Sequence, residues 1–191
     1  RKESSAASDV YKRQGVFEEL LVKSSFDFSD IQKNLAFLKG YKTEGNISSQ
    51  DITEAIPKSL QDNIFDMTQL LLRGQIQDVR ELVHDLRLQG EDEIKLIAVM
   101  LGQFRTYLQV KLLSAQGKSE QQIVSSLSDY LSRKVNPFQV RYAIRDSRHL
   151  SVAFLKTTIK TLVETDYQIK TGTLDKDYLL DLALLKIASN S

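Results

Sequence analysis

The segment Glu91–Gln116, EDEIKLIAVMLGQFRTYLQVKLLSAQ, decides how the rest of this sequence is read. Ile94, Ile97, Ala98, Leu101, Phe104, Leu108 and Leu112 recur at the three- and four-residue spacing of one helical face. The first half adds Leu96, Val99 and Met100 on the opposite side, so this helix is apolar nearly all round. Such a helix belongs at the centre of a bundle, because almost none of its surface suits water. Glu91, Asp92 and Glu93 open it, where the helix dipole favours negative charge. Ile94, Ile97, Leu101 and Phe104 are therefore the expected centre of the core.

Working outward, the neighbouring segments repeat a helical period punctuated by caps. Upstream, Ile64–Arg73 is closed by Gly74, and Ile76–Gln89 carries Ile76, Val79, Val83 and Leu86 on one side before Gly90. Downstream, Ser119 with Gln122 forms a capping box that leads Ile123, Val124 and Leu127 into a short helix. Asn136-Pro137 is a cap followed by proline in the first turn. Ser151 caps a long helix through Lys170, ended by Gly172. Asp175 starts the last one, with Leu179, Leu182, Ala183 and Lys186-Ile187. Nearer the N-terminus, Ser29 with Gln32 predicts a helix striped by Ile31, Leu35 and Leu38 and ended by Gly40. Ser48 with Asp51, stapled by Ile47 and Ile52, predicts a short helix stopped by Pro57, where the domain boundary is placed. No stretch alternates like a strand and no fixed-period repeat is present, so the fold class is all-α and a solenoid is disfavoured.

Composition narrows function by exclusion. An apolar fraction of 41% with 27% charged residues is that of a globular domain, and a net charge of +1 offers no global attraction to nucleic acid. The absence of cysteine removes disulfides and thiolate metal sites and suits a reducing cytoplasm. No apolar run approaches membrane-spanning length, and no signal-peptide core is present. Arg1–Gln14, RKESSAASDVYKRQ, is polar and without period, and reads as a non-native tag or scar.

The residues that catalysis needs are missing at the required spacings. No G-x-x-x-x-G-K-[ST] loop and no G-x-S-x-G elbow occurs, and His84 and His149 are the two histidines. Glu81-x-x-His84 places a carboxylate and an imidazole on one helical face, but the second pair that a di-metal bundle requires is absent. No catalytic, cofactor or metal site is assigned. The polar concentration that stands out is basic: Arg141, Arg145 and Arg148 share a face, with Arg133 and Lys134 upstream. Arg141, Arg145, Arg148 and Lys170 are the candidate phosphate or DNA contacts, since each guanidinium offers a rigid fork of donors. Ser119–His149 also has the outline of a helix-turn-helix, which makes a DNA-binding module the alternative reading, although the connection Asp129–Val135 is longer than the usual turn.

Several polar spellings point further. Asn63-Ile64-Phe65-Asp66, Leu88-Gln89-Gly90-Glu91 with Ile94-Lys95-Leu96-Ile97, and Gly102-Gln103-Phe104-Arg105 follow one another in order. Then come Gln116-Gly117-Lys118-Ser119, Asn136-Pro137-Phe138-Gln139-Val140, Thr165-Asp166 with Ile169-Lys170-Thr171-Gly172, and Leu182-Ala183-Leu184-Leu185-Lys186. In this order and spacing over Phe17–Ile187 the sequence resembles the bacterial DNA polymerase III delta subunits of the clamp loader. Ile56-Pro57-Lys58-Ser59-Leu60-Gln61-Asp62 is most like the streptococcal and low-GC Gram-positive members.

The resemblance implies a C-terminal part of such a subunit. Residues 15–57 would be the end of a helical lid module and residues 58–191 a helical-bundle collar. Its expected partners are the delta-prime and tau/gamma subunits, with the sliding clamp reached through an N-terminal module outside this sequence and primer-template DNA met in the full complex. The implied role is a non-catalytic scaffold within the DNA-directed DNA polymerase holoenzyme, in the cytoplasm, with no cofactor. Exposed apolar groups on the last helix are expected, because a ring-forming domain leaves such a patch when alone. In related loaders an aromatic residue just after the Lys170 region approaches the primer end. Here Thr173 and Leu174 stand in that stretch, with Tyr178 a turn later.

Overall fold

The computed structural model describes residues 15–21, 23–24, 28–172 and 174–190; Arg1–Gln14, read above as a tag, and Thr173 lie outside them. Among the described residues every regular element is helical. Residues 15–21 form α1, and the remaining helices are α2 Phe28–Tyr41, α3 Ser49–Ala55, α4 Leu60–Leu72, α5 Ile76–Leu88, α6 Glu93–Ala115, α7 Glu120–Leu131, α8 Pro137–Asp146, α9 Val152–Lys170 and α10 Lys176–Ala188. The chain divides into two compact units, one ending at Asn63 and the other running from Ile64.

In the first unit a small core gathers Leu20, Leu38, Ile52, Ala55 and Ile56, with Val16 and Ile47 packed against it. Ser48 and Asp51 form the expected capping box of α3, and Ile47 and Ile52 take the staple positions that hold the entry turn. The Lys42 ammonium, 2.7 Å from Asp51, adds a second tie to that turn. The sequence reading of α2 needs correction. This helix is already under way at Phe28, so Ser29 lies inside its first turn, and Gly40 is helical instead of ending it. Leu38 is buried but Leu35 is exposed, so the stripe is narrower than its spacing suggests.

The second unit is built around α6. Asp92 caps it by accepting from the Ile94 N–H, and α7, α8, α9 and α10 pack against it. Its buried positions are Leu96, Ile97, Met100, Leu101, Phe104, Tyr107 and Val110, together with Glu93. Phe104 meets Tyr107 of its own helix and Phe154 of α9 edge-to-face, at 6.0 and 6.5 Å between ring centroids. Of the four expected core residues Ile97, Leu101 and Phe104 are buried, whereas Ile94 is only half-buried; Ala98 and Leu112 are exposed. The core stripe therefore runs through Leu96 and Met100, rotated toward the side on which Phe104 meets Phe154 of α9.

Caps fix where the outer helices begin. Asn136, Ser151 and Asp175 each accept from backbone N–H groups in the first turn, and Ser119 and Gln122 form a reciprocal box. Gly90 takes a left-handed φ of 85° just after α5, which lets the Glu91 N–H reach back to the Leu86 carbonyl at 3.0 Å. The helix α4 starts at Leu60, earlier than its apolar period indicates, because Ser59 and Asp62 form a further box: the Asp62 N–H donates to Ser59 Oγ at 3.1 Å and the Ser59 N–H to Asp62 Oδ2 at 3.0 Å.

Candidate functional site

The last helix has two apolar faces. Leu179, Leu180, Ala183, Leu184 and Ile187 are buried, and successive 100° steps place them around one side of α10. Tyr178, Leu182 and Leu185 fall on the opposite side at i, i+4 and i+7, where Leu182 is half-buried and Tyr178 and Leu185 are 56% and 49% exposed. Together with Ile76 and Val79 of α5 they line an open groove of about 230 Å³, edged by Arg80 and Asp181. The helix is thus docked through one apolar side and leaves a second, partly exposed apolar side at the groove.

A closed ionic network stands beside this groove. Arg87 of α5 donates from Nε to Glu93 Oε1 at 2.9 Å, and from Nη2 to the Asp177 carbonyl at 3.2 Å and to Asp181 Oδ1 at 3.3 Å. Lys176, the first residue of α10, lies 2.8 Å from both Asp92 Oδ2 and Glu93 Oε2. Glu93 is 2% exposed, so its charge is tolerable only because two cations hold it. Burial pushes the Glu93 carboxyl up, but Lys176, its own backbone N–H and Arg87 outweigh burial and bring it down to about 2. Asp177 is pushed up by the neighbouring Glu93, and Lys176 is raised by Asp92 and Glu93. The sequence reading missed this network. Glu93 was visible only as one of three acids at a helix start, and no local spacing links Arg87 to Asp181.

The basic stripe sits elsewhere, on α8. Arg141 meets Glu120 of α7 through both oxygens, Nε lying 3.2 and 3.3 Å away and Nη2 3.0 Å from Oε1. Its guanidinium also stands 5.6 Å from the Phe138 ring centroid. Arg145 donates to Asp146 at 2.8 Å and stacks 4.9 Å over Tyr142. Lys170 donates to Asp166 one turn earlier at 2.7 Å. Arg148 is exposed, and its carbonyl, with that of Ser147, accepts from Lys111. The fold thus brings Glu120 to the stripe beside its sequence neighbour Asp146. Glu81 and His84 are exposed on α5, and among the described residues no three His, Cys, Asp or Glu side chains converge as a metal site. Leu174 is exposed, and Tyr178 faces the α5–α10 groove.

These elements also match known proteins. The family described as DNA polymerase III delta subunit, C-terminal domain, matches residues 61–187. This chain belongs to that family. The DNA polymerase III subunit delta of Bacillus subtilis (strain 168) is 35% identical over 160 residues, which are 84% of this chain and 44% of that protein. A solved structure described as the Bacillus subtilis DNA clamp loader delta protein superposes with a TM-score of 0.81 at 31% identity, covering 92% of this chain and 50% of the other. The chain thus spans about half the length of the relatives it matches. The family match and the superposition bear out the delta-subunit resemblance and the all-α class, and they do not favour the helix-turn-helix alternative. No described helix of this delta-family chain is long and apolar enough to cross a membrane.

Proposed function

We propose that this chain is the assembly part of a clamp-loader delta subunit, with residues 58–191 acting as the collar that joins it to the other subunits and residues 15–57 as the end of a lid module. The observation that carries the reading is the two-faced α10: Tyr178, Leu182 and Leu185, with Ile76 and Val79, offer an apolar seat within the unit that matches the family. The partners are delta-prime and tau/gamma. The sliding clamp is engaged through the remainder of the subunit, and the complex acts in the cytoplasm on primer-template DNA.

In this reading the contribution of the chain to the DNA-directed DNA polymerase holoenzyme is mechanical. The packed α6–α9 pair gives the bundle a stiff centre, so nucleotide-driven movement in partner subunits is transmitted to delta and not absorbed by it. Catalysis is left to other subunits. Arg141, Arg145 and Lys170 each hold a carboxylate, so a DNA phosphate would have to displace one. Their first role is to tie helices and turns, and Arg148 is the most available of the four candidate phosphate contacts.

Co-expression with delta-prime and tau/gamma tests the reading. The chain should co-elute with them through gel filtration; elution of the folded chain alone, with the other subunits assembled without it, would overturn the proposal.

A further inference from the structure

The groove lies between two helices, and the polar link beside it is Arg87. This side chain is 23% exposed and engages two elements at once: Glu93 at the start of α6, and the Asp177 carbonyl and Asp181 carboxylate on α10. Asp181 itself lines the groove, and Tyr178, another lining residue, follows Asp177 directly. Arg87 stands on the same side of α5 as Ile76 and Arg80, the latter at i−7. Its fork is held in turn, because Glu93 is buried and its second oxygen meets Lys176, which also reaches Asp92.

We propose that Arg87 is a positioning residue for partner binding: its fork fixes the first turns of α10 against α5 and α6, and so preforms the seat that a partner's apolar side chains enter. This inference rests on the reading of the groove as a subunit interface. The geometry favours arginine. A planar guanidinium donates in fixed, separate directions from Nε to the carboxylate on α6 and from Nη2 to the carbonyl and carboxylate on α10, whereas a lysine ammonium gathers its three donors on one atom without that rigid fork. A seat held in place beforehand spares the complex the cost of ordering it on binding.

The test measures binding of the whole chain to purified tau/gamma subunit for four proteins: unaltered, Leu185→Ser, Arg87→Lys and the double variant. Leu185→Ser removes a direct apolar contact, and Arg87→Lys keeps the charge but loses the fork; each should weaken binding about tenfold, the scale of one buried aliphatic side chain for the first and of a lost charge-assisted hydrogen bond for the second. The double variant should lose less than the product of the two, because a loosened seat has already forfeited much of the Leu185 contact. Amide exchange in isolated Arg87→Lys should quicken around residues 176–181 and stay unchanged in α9 and in α6 beyond its first turn. Binding by Arg87→Lys as tight as the unaltered chain, independent losses in the double variant, or faster exchange throughout the bundle would each overturn the positioning role. If Leu185→Ser binds normally, the groove reading fails and the inference falls with it; if Leu185→Ser is weak but Arg87→Lys is not, the inference alone fails.

Discussion

Glu93 at the start of α6 and Lys176 at the start of α10 are joined by a 2.8 Å contact between Oε2 and Nζ, although much of the sequence separates them. The contact places a buried carboxylate between Lys176 and Arg87, and it makes the attachment of the last helix sensitive to acid. Glu93 has its folded-state pKa lowered to about 2 from an ordinary 4.5, so its stabilisation is complete above the ordinary value and is lost as pH falls toward 2. Asp92, held down by Lys176, and Asp51, held by Lys42 and Ser48 at about 2, add to the same slope, while Asp177 is raised and acts in the opposite sense. Unfolding free energy measured in urea should be level near neutrality and fall steadily between about pH 4.5 and 2. The Glu93→Gln chain should be less stable at neutrality and show a shallower acid slope; an unchanged slope would contradict the assignment.

Truncation of the core should separate Phe104 from Ile94. Phe104 is fully buried between α6 and α9, and Phe104→Ala should cost about 3–5 kcal/mol. Ile94 is half-buried, so Ile94→Ala should cost roughly 1–2 kcal/mol, below the range for a fully buried aliphatic truncation. Chemical denaturation of the two variants measures the difference, and equal costs would place Ile94 in the core after all.

Ser132 closes α7 in the left-handed region at φ 51°, a conformation that costs a residue with a Cβ about 1–2 kcal/mol. Ser132→Gly relieves that strain and adds back chain entropy of roughly 0.5–1 kcal/mol in the unfolded state. The net should be a gain of about 0.5 kcal/mol, read as a raised denaturation midpoint at unchanged slope.

Arg141 and Glu120 form a largely exposed pair, which is worth roughly 0–1 kcal/mol. Arg141→Ala should therefore change stability little. In a titration with primed duplex, Arg141→Ala should alter any binding less than Arg148→Ala does, because Glu120 already answers the Arg141 charge. A larger loss at Arg141, with a reduced salt slope, would make the α8 face a phosphate contact.

The elements legible in the sequence were those whose signals are local. Ser48–Asp51, Ser119–Gln122, Asn136-Pro137, Ser151 and Asp175 all cap where their side chains can reach their own first turn. What the sequence concealed depends on neighbours. The spacing of Ile94, Ala98 and Leu112 is helical, but which side of α6 sinks deepest depends on how α7, α8, α9 and α10 pack around it. Arg141 read as part of a basic stripe until the fold brought Glu120 against it. Exposed apolar groups were expected on the last helix, but Leu182 was read in one stripe with Leu179, Ala183 and Ile187; its separation onto the other side with Tyr178 and Leu185, their grouping with Ile76 and Val79, and the Arg87 fork beside them exist only once α5 and α10 meet.

The central claim, that the α5–α10 face is where this chain joins the other subunits, is tested most directly by amide hydrogen exchange of the chain with and without tau/gamma. The account predicts slowed exchange over Ile76–Arg80 and Tyr178–Leu185 in the complex. Protection confined to α7 and α8, with the α5–α10 face exchanging as in the free chain, would contradict it.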